Sequence, residues 1–170
     1  MTRLQESFFR RGVLKVAPEL CGKWLCRETE NGEVLRLQIT ETEAYRGTED
    51  TACHAHKGKT PRAEVLWYPA GTMYVYLCYG MHWLLNAVTG EEGEPQAVLI
   101  RACRNAEGPG KLTRALGITG EFHKDSFLTS PALWIEDDGK TYKKRRDTRV
   151  GIGYASQRDQ ARKWRWILVD

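Results

Sequence analysis

The run VLRLQITETEAYRG places Glu41, Glu43 and Tyr45 at alternating positions after a string of apolar residues. Side chains on a strand change face at every residue, so residues two apart share a face. Leu35, Leu37 and Ile39 then lie on one face. Barring a bulge, Glu41, Glu43 and Tyr45 continue it. A carboxylate carried inward in this way is costly to bury unless paired, and burial raises its pKa. Those are the properties of a general base or acid. Two carboxylates at i and i+2 also stand roughly 6.6 Å apart along a strand. That spacing suits the acid and base of an inverting glycoside hydrolase, so Glu41 and Glu43 leave this second chemistry open.

A second group of residues lies in GTMYVYLCYGMHWLLN, residues 71–86. Tyr74 and Tyr76 share one strand face, where either could stack on a flat ring, while Met73, Val75 and Leu77 share the other. Tyr79 sits beside Gly80 where the chain must reverse, with Met81 just beyond. A large aromatic on an exposed tip gains nothing from folding, but it suits a wedge driven between base pairs. Asn86 interrupts an apolar strand and needs partners there or a ligand edge to read. Arg101 ends AVLIR and suits an anion or a carboxylate. Cys53, His54 and His56 have metal-like spacing but no fourth ligand in view, so no metal is expected.

Hairpins and short helices must position these groups. Residues 7–20 read as helical, with Ser7 as a cap and Pro18 opening a new turn. KWLCRET and VLRLQITETEAY flank Asn31-Gly32, the strongest short hairpin signal. Residues 46–64 are turn-rich and read as a loop. Thr72–Tyr79 and His82–Thr89 form a second hairpin. Ala97–Cys103 reads as a buried strand, and GPGKLTRALGI as a loop opening a helix whose first N–H groups and Lys111 could meet a phosphate. Short strands are expected at 133–136 and 164–169, and a basic loop at 140–149. Strands outnumber helices and pair as hairpins, which gives an α+β fold in a single domain spanning 1–170.

Charge is unevenly spread. Residues 1–100 hold 11 Lys/Arg against 13 Asp/Glu, and residues 101–170 hold 15 against 9. A basic C-terminal part points to an anionic partner such as nucleic acid. KTYKKRRDTR, ending at Arg149, reads as a backbone-contact loop. The 5 cysteines form no Cys-x-x-Cys pair and read as reduced thiols of a cytoplasmic protein. MTRLQESFFRRG is too charged for a signal peptide, and no apolar run is long enough to cross a membrane.

ETEAYRG, the run Glu49-Asp50-x-Ala52-x-His54, KTPR, G-T-x-Y-V-Y-x-x-Y-G-M followed by Asn86, LIRA, GPGKL and RVGIGYA occur in this order. Together they resemble the alkyladenine DNA glycosylase family, also called 3-methyladenine or methylpurine DNA glycosylases, from about Ser7 to the C-terminus. The resemblance implies a mixed α/β domain with a mostly antiparallel curved sheet, flanking helices and a protruding hairpin that inserts into DNA. It implies a monomeric, monofunctional enzyme of base excision repair that hydrolyses the N-glycosidic bond of alkylated or deaminated purines in double-stranded DNA, without a cofactor. In the cell it would be cytoplasmic, and nucleoid-associated if bacterial.

By position, the resemblance makes Glu43 the general base, with Arg101 near it and the attacking water. Tyr45 and Tyr76 would stack on the flipped base, His54 would touch its edge, and Asn86 would crowd the extra amino group of guanine. Tyr79 would intercalate with Met81 beside it, and Arg62 of KTPR would contact DNA. His82, Trp83 and Trp67 depart from the usual residues, which bears on substrate range. No lysine lies in the Glu43 strand, which favours direct hydrolysis over a Schiff base. A non-catalytic module that binds damaged DNA is the remaining alternative to the two hydrolytic readings.

Overall fold

A computed structural model describes all residues, 1–170. Its centre is a 13-residue strand, Val34–Arg46. The turn at Asn31-Gly32, with Gly32 at φ +82°, returns the chain from Trp24–Glu28 into this strand. In chain order the strands are β1 (Thr2–Arg3), β2 (Trp24–Glu28), β3 (Val34–Arg46), β4 (Met73–Cys78), β5 (His82–Val88), β6 (Gln96–Cys103), β7 (Ala106–Glu107), β8 (Leu133–Asp137), β9 (Lys144–Asp147) and β10 (Arg165–Leu168). They form one sheet in the order β1-β8-β2-β3-β6-β5-β4, with every pairing antiparallel. β10 pairs with both β3 and β9, and β7 pairs with β6. The architecture is α+β, as the hairpin-rich pattern predicts.

Helix α1 covers Glu6–Phe9, α2 Val13–Leu20, α3 Pro109–Ala115 and α4 Gln157–Ala161. In α2, Val13, Val16, Ala17 and Leu20 fall at i, i+3, i+4 and i+7, and all four are buried against the sheet. They join Ile39, Leu85, Ile100, Leu112 and Phe127 in the main core, where each large apolar side chain contributes about 1.5–3 kcal/mol. Two local expectations are corrected. Ser7 caps nothing: it lies inside α1, and neither α1 nor α2 has a side-chain N-cap. Pro18 lies within α2 rather than opening a turn, and the C-terminal carbonyl of Ala17 is satisfied by Cys21 N–H and by the Thr42 hydroxyl.

The register of β3 against β6 decides where the carboxylates point. Ile39 pairs with Cys103, Glu41 with Ala102 and Thr42 with Ile100. Thr40 is therefore an extra residue on β3, and Arg101 an extra residue on β6. Each is a bulge, and the two cancel so that pairing resumes in the original register. The bulge at Thr40 reverses the alternation. Ile39 and Ala44 both belong to the main core, and Thr42 bonds α2. Glu43 and Tyr45 therefore face the other side, where Tyr45 packs beside Cys53, Tyr74 and Tyr76. The expectation that the Leu35–Ile39 face runs on into Glu43 is overturned by this bulge.

The 46–64 segment carries two short 3-10 turns, His54–Lys57 and one beginning at Glu64. The 140–149 segment is not simply a loop, because Lys144–Asp147 pairs with β10.

Candidate active site

Glu43 is wholly buried. Its Oε2 accepts the backbone N–H of Val150 at 2.7 Å, and its Oε1 accepts the Tyr45 hydroxyl at 3.0 Å. The Arg101 guanidinium lies 3.6 Å from Oε1. Burial pushes the Glu43 pKa above the ordinary carboxylate range, while Arg101, the Val150 N–H and the Tyr45 hydroxyl partly offset the rise. Arg101 reaches Glu43 because it is the extra residue of the β6 bulge.

Glu41 shares this face but not this environment. Its Oε2 lies 3.5 Å from Arg101 and 3.4 Å from Arg165. Two guanidiniums thus pair with this one carboxylate.

Above Glu43 the chain builds aromatic walls. Alternation on β4 places Tyr74 and Tyr76 together, with ring centroids 5.0 Å apart. His54, delivered by its 3-10 turn, meets Tyr76 edge-on at 4.8 Å and places Nδ1 2.7 Å from the Tyr74 hydroxyl. A recess of about 40 Å³ is lined by Tyr45, His54, Tyr74, Tyr76, Asn86 and Tyr154, among others. It has room for a few waters and not for a purine. Tyr45, His54, Tyr76 and Tyr154 also line a cleft of about 710 Å³ that runs past Arg101 to Tyr79 and Lys111. The recess and the cleft meet at Tyr45, His54, Tyr76 and Tyr154.

Asn86 is buried on β5, and its Nδ2 donates to the Tyr74 carbonyl at 3.1 Å. The β4–β5 hairpin turns at Tyr79 and Gly80, with φ of +52° and +67°. Both values are positive, as a tight hairpin turn of primed type requires. Tyr79 is 91% exposed and Met81 68% exposed. A non-glycine residue at positive φ on an exposed tip is strain without a packing return. Arg62 stacks over the Tyr76 ring at 5.0 Å and lines the cleft, as does Lys111 in the first turn of α3.

Arg149 is not a backbone-contact residue. Its guanidinium is buried, bonded to Asp50 and to the Ala44 and Asp159 carbonyls, and stacked 5.0 Å from the Tyr45 ring. A positive charge so paired has nothing to offer a phosphate. Sequence reasoning also passed over three groups. Val150 contributes only a backbone N–H, which no side-chain pattern shows. Asp50 accepts from Arg46 N–H and Ala52 N–H besides Arg149. Tyr154 lines both spaces and donates its hydroxyl to the Ala52 carbonyl at 2.7 Å. All three lie inside the runs E-D-x-A-x-H and RVGIGYA, so the motifs held the signal without the roles.

Comparison with known proteins bears on this site. The family profile described as methylpurine-DNA glycosylase matches residues 7–107 and 103–170. A Myxococcus xanthus protein is 44% identical over 91% of this chain and 84% of its own length. A Methanocella arvoryzae protein is 40% identical over 98% of this chain and 92% of its own length. A Psychrobacter cryohalolentis protein is 37% identical over 98% of this chain and 92% of its own length. All three relatives carry the name "Putative 3-methyladenine DNA glycosylase".

Proposed function

The chain belongs to the methylpurine-DNA glycosylase family, and from that premise we propose that it removes alkylated or deaminated purines from duplex DNA by direct hydrolysis of the N-glycosidic bond. A glycosylase of this family is a hydrolase of N-glycosyl bonds, and its substrate is damaged DNA. The finer reading assigns each step to residues of this chain.

A base inside a duplex is out of reach, so its nucleotide must rotate outward. Tyr79, with Met81 beside it, fills the space left in the stack. Tyr45 and Tyr76 sandwich the extruded purine, at about 1–3 kcal/mol per stacked base. Arg62 and Lys111 neutralise phosphates at the rim of the cleft. As the purine leaves, positive charge builds on the sugar. In its ionised form Glu43, with Arg101 beside it, opposes that charge and takes a proton from the attacking water.

The observation that carries this reading is the position of Glu43: buried, held at both oxygens, and covered by Tyr45, Val150 and Arg101, which themselves line the cleft. The test is single-turnover base release from duplexes carrying hypoxanthine, 3-methyladenine, 7-methylguanine or ethenoadenine. The expected result is release of at least one lesion base, with Glu43→Gln retaining damaged-duplex binding and losing excision. Binding with no release by the unaltered chain would make it a damage-recognition module instead.

A further inference from the structure

We propose that Glu41 is a positioning residue that shares the charge of Arg101 with Glu43, so that Glu43 keeps the basicity it needs to take a proton from water. This rests on the reading above, in which Glu43 is the general base.

Glu41 has no part in the steps described so far. Its side chain is 24% exposed, against 0% for Glu43, and it does not line the cleft. The bulges explain where it stands. Arg101 is the extra residue of β6 between Ala102, paired with Glu41, and Ile100, paired with Thr42. Its guanidinium therefore lies between two acids. Nε is 3.5 Å from Glu41 Oε2, and Nη1 is 3.6 Å from Glu43 Oε1. Both separations are long for hydrogen bonds, so the link is Coulombic and nearly even. On the other side, Arg165 of β10 pairs across the sheet with Glu43 but turns its guanidinium to Glu41, at 3.4 Å, and to Asp147, at 3.3 Å. Its Nε donates to the Thr148 carbonyl at 2.6 Å, which fixes the head group.

A cation that faces one buried carboxylate alone holds it ionised and makes it a poor base. A second carboxylate on the same cation works the other way, by like-charge repulsion and by drawing the guanidinium toward itself. Burial raises the Glu43 pKa, while Arg101 and, more weakly, Arg165 lower it. Glu41 sits on both of these cations and limits their pull. The other groups around Glu43 are Tyr45 on its own strand, Arg149 and the Val150 N–H from the segment after β9, and Tyr154 beyond them. Asp50, the carboxylate behind this layer, is paired with Arg149. Glu41 is thus the carboxylate placed to divide the charge of Arg101.

The first measurement needs no DNA. The carboxyl carbon of Glu43, assigned by its absence in Glu43→Gln, is titrated by NMR in the free protein. Glu41→Gln keeps the side-chain shape and an acceptor for both guanidiniums, and in it the Glu43 midpoint should fall by about one pH unit. Arg165→Met leaves Glu41 without its second cation, and there the midpoint should rise. A Glu41→Gln midpoint that stays or rises overturns the proposal, and so does an Arg165→Met midpoint that stays or falls. The second measurement is single-turnover excision from a hypoxanthine duplex. The acid limb of the Glu41→Gln profile should move to lower pH, with a plateau about two- to fivefold lower and damaged-duplex binding within about twofold of the original. A lower plateau with the limb in place would make Glu41 a structural residue only and overturn its role. If the unaltered chain releases no lesion base, the glycosylase reading fails, and the carboxyl titration still decides whether the charge is shared.

Discussion

Arg149 and Asp50 form a bidentate ion pair, at 2.7 and 3.0 Å, with both side chains wholly buried. The next residue, Val150, delivers its N–H to Glu43. Asp50 also accepts the backbone amides of Arg46, which ends β3, and of Ala52 in the turn beyond it. The pair therefore clips the Val150 segment onto β3 over the buried carboxylate. Arg149→Met would strand Asp50 as an unpaired buried charge, at a cost of about 3–5 kcal/mol. Urea denaturation checks this, and a midpoint equal to that of the unaltered protein would show that the pair does not hold the segment.

The environment of Glu43 sets a pH dependence. Its folded pKa is raised by burial, and Arg101 pulls it back. Only the ionised form accepts a proton, so single-turnover excision should fall as pH drops through that raised value. Replacing Arg101 with Met removes the charge that lowers the pKa. The acid limb should then move to higher pH, and the plateau rate should drop as well. A pH–rate profile of Arg101→Met whose acid limb stays in place, or moves to lower pH, contradicts the electrostatic role.

Two glycines brace the hairpin from behind. A Cβ added at Gly110, in the first turn of α3, would stand 2.8 Å from His82 Nδ1, and one at Gly120 would stand 2.7 Å from Trp83. Both neighbours belong to β5, just past the Tyr79 tip. Gly110→Ala should displace His82, at a cost of about 1–3 kcal/mol for overpacking, and weaken damaged-duplex binding by tilting the tip. Thermal unfolding together with a binding titration tests the pair of effects. A Gly110→Ala protein that melts and binds like the original would mean His82 simply swings aside.

Period-two alternation made much of this legible in the sequence. Tyr74 and Tyr76 on one face of β4, with Met73 and Val75 on the other, follow directly from it. Asn31-Gly32 marked the β2–β3 hairpin, and Tyr79-Gly80 marked the exposed tip. The bulges at Thr40 and Arg101 were not legible, because they arise where β3 must satisfy α2, β6 and β10 at once. The chain thus brings Glu43 to its site by a different face from the one alternation predicts. Arg149 misled for a related reason. Its local sequence is a basic run, but its partner Asp50 lies 99 residues away. Long-range pairing, not local charge, decided its burial.

The tip residue offers a test that separates function from stability. Tyr79 is almost fully exposed, so its side chain contributes little packing, yet its backbone stands at φ +52°. Asparagine tolerates that region far better than tyrosine, and Asn-Gly is the preferred pair for a primed turn. Tyr79→Asn should therefore stabilise the fold by about 0.5–1 kcal/mol. The same change removes the aromatic wedge. Excision should fall by about 5- to 150-fold, given about 1–3 kcal/mol for an aromatic stacked on a base. Tyr79→Phe, which keeps the ring and the strain, should stay within a few fold of the original in rate. Chemical denaturation and single-turnover excision on one hypoxanthine duplex measure both quantities. A Tyr79→Asn protein with higher stability and undiminished excision would mean that the tip does not act as a plug, and that its strained tyrosine has no role in opening the duplex.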